Sequence, residues 1–450
     1  MTSQIFSKYV TQNVPRYTSY PTAPHFHDGV TGEDYAGWLS RLDPQKPVSL
    51  YLHVPFCRQL CWYCGCNMKL ATRQVPISAY NDTLIEEIGL VAGHLPARMK
   101  VSHLHWGGGT PTALEPDELE RAMAEVAKHF DFTDQADMAI ESDPRTLDAV
   151  MIERIGALGF NRASFGVQEF DPKVQQAINR IQPPEMVRAS VDGLRKAGVT
   201  SINFDLIYGL PHQTVETLLE TIRICGEMRP DRIALFGYAH VPWMAKKQRL
   251  IDEAALPGAS ERLEQARASA EALIEAGYVP IGLDHFALPD DAMAIAHANG
   301  TLRRNFQGYT TDATDTLIGL GATSIGRTPS GYLQNTVETG AWARTVEAGQ
   351  LPVMKGVVLS LEDRVRGAVI EQLMCFGTAD LDRIALEHGV EPALLDDSLL
   401  AQEELVADGL VKIQDRRVVI TEDGATLVRV IASKFDAYFQ ASVARHAVAV

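Results

Sequence analysis

Between Val48 and Phe236 the chain alternates six short apolar runs with five longer stretches of helical periodicity, an alternation that leaves few folds open. The runs are Val48–Val54, Val101–Trp106, Met138–Glu141, Arg162–Val167, Ile202–Ile207 and Arg232–Phe236. Between them stand Ile77–Val91, Pro116–Phe130, Thr146–Leu158, Pro184–Ala197 and Val215–Met228. Strand and helix in turn at this spacing predict an α/β fold with a parallel sheet and right-handed crossovers. Gly159, Gly198 and Gly277 mark helix ends and suit the left-handed closing position. Six units predict a partial (βα)6 TIM-like barrel, not a closed eight-fold one. Its chemistry is expected at the carboxyl ends of the strands.

Unusual residues fall at those ends. Tyr51 is near the end of the first run, and Gly107-Gly108-Gly109-Thr110 follows the second. Glu141 ends the third, Gln168 follows the fourth, Asp205 sits late in the fifth, and Tyr238 and Ala239 follow the sixth. A buried unpaired carboxylate is costly, so Glu141 and Asp205 point to a ligand or an arginine partner. Asn203 and Asp205 share one face by strand alternation, and Gln168 and Arg180 could complete a polar lining. A structural ion pair of Arg180 with Asp205 or Glu141 is the plain alternative. The glycine triplet lacks both the Rossmann spacing and the P-loop Gly-Lys-Ser/Thr; it permits close backbone approach to a ligand or simply a tight turn.

Just beyond the first run, YLHVPFCRQLCWYCGC (Tyr51 to Cys66) holds four of the six cysteines. Cys57, Cys61 and Cys64 are separated by three and then two residues, with Cys66 one residue further on. A structural zinc site wants four ligands, usually as pairs or with histidines. A triplet in one loop fits an iron–sulfur cluster better, because three ligands on a four-iron cluster leave one iron open for a small molecule. A zinc knuckle or spare thiols is the alternative. Cys225 and Cys375 fall in helical runs and read as buried thiols. His53, His103 and His105 offer no clean metal set and read as core or supporting residues.

A net charge of −16 argues against nucleic acid and against an anionic membrane surface. No window of eighteen apolar residues exists, and the N-terminus lacks a secretory pattern. Thiols poised for a cluster need a reducing compartment, so a cytoplasmic location is expected. Length allows two or three domains. The expected division is an N-terminal arm over 1–46, a barrel over 47–288, and a mainly helical, winged-helix-like C-terminal domain over 289–450. That last domain is expected to serve packing, since no basic recognition face is visible. A helix over Ser260–Ala276 is expected with Ser260 as N-cap. RNFQGYTT (Arg304 to Thr311) and LIGLGATSIG (Leu317 to Gly326) read as loops returning to the site.

The C-x3-C-x2-C run after a strand resembles the radical S-adenosylmethionine (SAM) superfamily. The extension to Cys66, with PRYTSYP (Pro15 to Pro21), LHWGGGTPT (Leu104 to Thr112), DLIYGLP (Asp205 to Pro211) and RNFQGYTT, resembles the oxygen-independent coproporphyrinogen III oxidases in particular. These blocks span most of the chain. The resemblance implies oxidative decarboxylation of two propionates of coproporphyrinogen III to vinyl groups, giving protoporphyrinogen IX in haem biosynthesis. It implies one 4Fe–4S cluster on Cys57, Cys61 and Cys64, and two SAM molecules supplying 5′-deoxyadenosyl radicals. Tyr51, Gly108, Gly109, Thr110, Glu141, Gln168, Arg180 and Asp205 then line the first SAM. Tyr63, Ala239, Phe306, Gln307 and Ile325 line the second, Cys66 is a marker near the site, and Arg16 is a candidate partner for a propionate. Tyr63 stands where the family often has phenylalanine. A monomer and a low-potential electron donor such as flavodoxin or ferredoxin are also implied. A tetra-carboxylate substrate is repelled by the net charge, so a local basic pocket has to override the global field. The alternatives are a related radical SAM enzyme that degrades haem, or a haem or iron–sulfur chaperone.

Overall fold

The computed structural model describes Ile5, Lys8, Tyr9 and residues 12–439. Two units emerge: His27–Gly277 with Thr314–Val358, and Met1–Phe26 with Tyr278–Ala313 and Leu359–Val450. Their boundaries are not the expected ones at 46/47 and 288/289. Residues 314–358 belong with the barrel, and the first 26 residues belong with the C-terminal segments.

The larger unit is built on β1 (Val48–Val54), β2 (Lys100–Gly108), β3 (Asp131–Ser142), β4 (Arg162–Gln168), β5 (Ser201–Tyr208) and β6 (Arg232–Gly237). They pair in parallel in sequence order. The crossovers carry α1 (Val75–Ala92), α2 (Pro116–His129), α3 (Ala149–Ala157), α4 (Pro184–Lys196) and α5 (Val215–Met228), and α6 (Ala259–Glu275) follows β6. Gly258, not Ser260, is the N-cap of α6, and Glu261 closes its first turn by accepting from Gly258 N–H at 2.7 Å.

Beyond the six units, LIGLGATSIG is not a loop. Leu317–Leu320 is a seventh parallel strand, β7, paired with β1 from Ser49↔Leu317 to Leu52↔Leu320. From it β8 (Ile325–Thr328), β9 (Gly331–Asn335) and β10 (Val353–Val358) continue antiparallel, with α7 (Thr339–Glu347) before β10. The apolar four-residue run was too short, and the glycines of LIGLGATSIG too many, for a strand to be read from the sequence.

Strand alternation sorts the sheet faces. Leu50, Leu52, Val54, Leu104, Trp106, Ile140, Phe165, Phe204 and Leu206 are all at most 1 % exposed. Their alternating neighbours are polar and bond across strands: Asn203 Nδ2 donates to Ser164 Oγ at 2.8 Å and to Asp205 Oδ1 at 2.9 Å. His103 and Arg162 both meet Asp137, at 3.5 and 3.6 Å. A polar inner face leaves the barrel interior suited to a polar ligand, with the apolar energy placed on the outer face.

In the smaller unit, RNFQGYTT falls in a hairpin, Arg303–Asn305 with Gly308–Thr310, where a loop was expected. A three-stranded antiparallel sheet (Thr378–Asp380, Arg417–Ile420, Val411–Gln414) sits with the helices Leu361–Phe376 and Leu381–Glu387, in helix–strand–helix–hairpin order. Tyr9, Val14, Tyr17 and Tyr20 lie in the same apolar core as Val365, Val369 and Leu373. No helix among the described residues is long and apolar enough to cross a membrane.

Candidate active site

The cysteine loop leaves β1 through Pro55 and is closed at its base. Phe56–Cys57 pairs with Lys69–Leu70, and Gly109 N–H and Thr110 N–H donate to Val54 O and Phe56 O, each at 2.8 Å. A Cβ on Gly109 would stand 2.6 Å from Phe56 O, and one on Gly108, at φ +117, would meet the His53 ring at 2.7 Å. The glycine run therefore lets the β2 end lie directly on the base of the loop. Further out, Asn179 Nδ2 donates to Leu60 O at 2.6 Å and Trp62 N–H to Ile178 O at 3.0 Å. On the far side Gln248 Nε2 donates to Tyr63 O at 2.7 Å and to Ala239 O at 3.1 Å.

Two guanidiniums converge on the middle cysteine. Arg145 Nη2 is 3.2 Å and Arg180 Nη1 3.3 Å from Cys61 Sγ. Both also grip Asp143, at 2.6 and 3.3 Å from its Oδ2. Burial works against that carboxylate, but Arg180 and Arg145 outweigh it and hold Asp143 at about 2. Thr110 Oγ1 is 3.5 Å from Cys57 Sγ, and burial pushes the Cys57 thiol up to about 11. Cys64 Sγ accepts from Cys66 N–H at 3.4 Å, and the hydrogen bond with the Cys66 side chain is the chief cause lowering its thiol.

Glu141, next to the last residue of β3, has Oε1 3.0 Å from His105 Nε2 and Oε2 accepting from Gly108 N–H at 3.1 Å. Burial opposes the charge, yet these partners bring the carboxyl below its ordinary value. Tyr51 OH meets His53 Nδ1 at 2.9 Å, and burial holds His53 down at about 4, hence neutral. At the end of β4, Gln168 takes φ +66 and is buried. The backbone there is held from outside, by Arg180 Nε on Gly166 O at 3.0 Å and by Gln182 Nε2 on Gly166 O at 3.1 Å.

The structure thus sets Cys57 against Thr110, Cys61 against Arg180 and Cys64 against Cys66, and places Tyr51, Gly108 and Glu141 in a second group linked through His53 and His105. Asp205 lies on β5, bonded to Asn203 and Ser164. Arg180 pairs with Asp143 at 3.3 Å. Tyr63 and Ala239 meet the same Gln248 side chain, and Ile325 begins β8. Phe306 and Gln307 form the turn of the Arg303–Thr310 hairpin, where Gln307 N–H donates to Asn305 Oδ1 at 2.9 Å. Arg16 is exposed, its carbonyl accepting from Arg304 Nη2 at 3.3 Å. The sequence reading missed Asp143, Arg145, Gln182 and Gln248. For the first two the signal was present, since ESDPR extends the strand end that Glu141 marks.

Among the described residues no three His, Cys, Asp or Glu side chains are placed to hold one metal ion. Arg145 Nη1 and Gln168 Oε1 are buried and have no hydrogen-bond partner among the described residues. Such atoms call for a missing polar group. An anionic cluster beside Cys61 and the polar end of a cofactor at the β4 rim fit both demands.

Residues 51–225 match the family model described as Radical SAM superfamily. Over its full length the chain is 50 % identical to the oxygen-independent coproporphyrinogen III oxidase of Bradyrhizobium diazoefficiens, covering 100 % of both chains. It is 45 % identical to an anaerobic coproporphyrinogen III oxidase of Cereibacter sphaeroides over 94 % of each chain. The solved structure of coproporphyrinogen III oxidase (HemN) from Escherichia coli, described as a radical SAM enzyme, matches with a TM-score of 0.91 at 37 % identity. That match covers 95 % of this chain and 100 % of that one. The cysteine triplet, the glycine strap and the partial barrel thus sit in a chain that resembles these enzymes from end to end, and it belongs to the oxygen-independent coproporphyrinogen III oxidases of the radical SAM superfamily.

Proposed function

We propose that this chain converts coproporphyrinogen III to protoporphyrinogen IX without oxygen, by oxidative decarboxylation of two propionates to vinyl groups. Carrying the proposal is the loop of Cys57, Cys61 and Cys64 seated on the barrel rim under two guanidiniums, within a chain alike over its whole length to enzymes of that name. The reaction removes hydrogen from an unactivated carbon, where no side chain is basic enough to take it as a proton. A reduced 4Fe–4S cluster with bound SAM supplies that chemistry as a radical.

The protein's part is to bind and orient. Cys57, Cys61 and Cys64 are the thiolates for the cluster, and Arg145 and Arg180 offset their charge while Asp143 fixes both guanidiniums. Around the first SAM, Gly108 and Gly109 allow backbone approach. Glu141, Gln168, Arg180 and Asp205 offer polar contacts, Thr110 braces Cys57, and Tyr51 is fixed by His53. Tyr63, Ala239, Phe306, Gln307 and Ile325 are proposed for a second SAM, with Cys66 near the site. Neutral His53 keeps positive charge away from Gly108, whose N–H binds Glu141. Arg16 remains a proposed propionate partner. We further propose a cytoplasmic monomer with no nucleic-acid or membrane partner, supplied with electrons by a low-potential carrier protein.

The test is anaerobic incubation of iron- and sulfide-loaded protein with SAM, dithionite and coproporphyrinogen III. Wild type is expected to yield the divinyl product. Cys57→Ala, Cys61→Ala and Cys64→Ala lose the brown cluster absorbance and the product together, whereas Cys66→Ala keeps the absorbance. A colourless wild type, or undiminished product from Cys61→Ala, refutes the proposal. In a parallel reaction fed with haem, consumption of haem without vinyl product assigns the chain to haem degradation instead.

A further inference from the structure

Residues 241–250, VPWMAKKQRL, cover one side of the cysteine loop and have two faces. The inner face is anchored. Gln248, 1 % exposed, bonds Tyr63 O and Ala239 O, and its Oε1 accepts from Val241 N–H at 2.6 Å. Lys247 Nζ donates to Cys66 O at 3.3 Å, and Ile251 is buried in an apolar cluster against which Trp62 and Tyr63 pack. Thus the segment bears directly on the residues either side of Cys64.

Its outer face is open. Trp243 is 51 %, Met244 72 % and Leu250 55 % exposed, and Lys246 and Arg249 stand exposed among them. From Ala239 to Ile251 the chain carries Lys246, Lys247 and Arg249 and no acidic residue, within a protein of net charge −16. The next acids are turned to local partners, Asp252 to Ala254 N–H at 3.1 Å and Glu253 to His240 at 3.0 Å. Large apolar side chains left in water beside cations of the minority sign mark an association surface for an acidic partner. An apolar centre with a charged rim is the usual anatomy of such a contact.

We propose that this outer face docks an acidic one-electron carrier protein holding a low-potential flavin or iron–sulfur centre. The inference rests on the proposed function, which needs an electron delivered to the centre at Cys57, Cys61 and Cys64. One electron leaves the carrier, which is oxidised, and enters the cluster, which is reduced; no proton or group moves with it. Charge complementarity selects the partner, since an acidic carrier is repelled by the net charge of the protein and attracted by Lys246 and Arg249. Proximity selects the role, because the anchored face touches the carbonyls of Tyr63 and Cys66. A small contact area is in keeping with transient redox encounters.

Two variants test this: Lys246→Glu with Arg249→Glu, and Lys246→Glu with Met244→Ser, the second leaving the Arg249 contact to Pro242 O intact. Binding of oxidised acidic flavodoxin, and separately of an acidic ferredoxin, is titrated calorimetrically onto cluster-free and cluster-loaded protein. Cluster bleaching by each reduced carrier, and by dithionite, is then followed in a stopped-flow instrument. Both variants are expected to weaken carrier binding and slow bleaching on the order of tenfold at low ionic strength, the difference closing near about 1 M salt. Dithionite bleaching and dithionite-driven product are expected to match wild type. Unchanged carrier binding, no wild-type affinity for either carrier, or an equal loss with dithionite overturns the proposal. If wild type makes no product with dithionite, the proposed function fails, and the carrier titrations show that separately.

Discussion

The two guanidiniums at Cys61 are tolerable because Asp143 stands between them. Its side chain is 9 % exposed, and Arg145 reaches both of its oxygens. Its carboxyl is held at about 2 against an ordinary 3.8, and at about 1.4 kcal/mol per pH unit this contributes on the order of 2 kcal/mol to stability. The folded value lies below the unfolded one, so the contribution is complete above the unfolded value and is lost as pH falls toward 2. Asp143→Asn leaves two buried cations without a counter-ion and is expected to destabilise the cluster-free protein by about 3 kcal/mol at neutral pH. The gap to wild type should narrow from about pH 5 downward. Denaturant titrations of the two proteins across that range measure it; a gap independent of pH contradicts the assignment. Glu141 at the strand end was legible as a functional carboxylate. Asp143, two residues on in the loop, carried part of that signal in ESDPR, but nothing in the sequence tells which of the two acids will face Arg180.

At the scale of elements, α1, the turn between β7 and β8, and α7 are joined by one buried carboxylate. Glu87 is wholly buried and accepts from Gly321 N–H at 2.6 Å, Trp342 Nε1 at 3.2 Å and Asn335 Nδ2 at 2.6 Å. Beside it Tyr80 OH donates to His53 O at 2.7 Å and accepts from Ala322 N–H at 2.9 Å, so this junction also supports the strand that carries Tyr51. Burial raises Glu87 to about 7 despite its donors. A raised folded value means stability that is complete below the ordinary 4.5 and lost as pH climbs through 7. Glu87→Gln must set an amide N–H against one of these donors, so it is expected to be less stable than wild type by about 1–3 kcal/mol near pH 5. That difference should shrink by on the order of 3 kcal/mol by about pH 8, as wild type takes on its buried charge. Melting curves at the two pH values decide; a constant difference would mean Glu87 is ionised throughout. The β1–β6 ladder was legible because apolar runs and helical stretches alternate over nearly 190 residues in one register. β7 to β10 were not, since their pairing depends on contacts between residues far apart, such as Ser49 with Leu317.

At the scale of the molecule, Tyr9, Val14, Tyr17 and Tyr20 near the N-terminus are core residues. Tyr9, Val14, Tyr17 and Tyr20 are 1, 0, 4 and 6 % exposed. Tyr17 OH donates to Asp436 Oδ2 at 3.0 Å, and Tyr20 OH accepts from Ala437 N–H at 2.9 Å, joining the two ends of the chain. Proline breakers and weak periodicity hid this, because a segment without regular structure shows no pattern even when alternate side chains are buried. Removing residues 1–22 strips four large side chains from the core around Val365, Val369 and Leu373, and each such loss costs about 2–5 kcal/mol where the site cannot close. The sum exceeds what the smaller unit can spare. The truncated protein is therefore expected to lose the core built by Leu361–Phe376 and its neighbours while the partial barrel keeps its own. Calorimetry should show a low-temperature transition detached from the main one, with dye binding that reports exposed apolar surface. A single transition at the wild-type temperature would mean that these tyrosines contribute no packing energy.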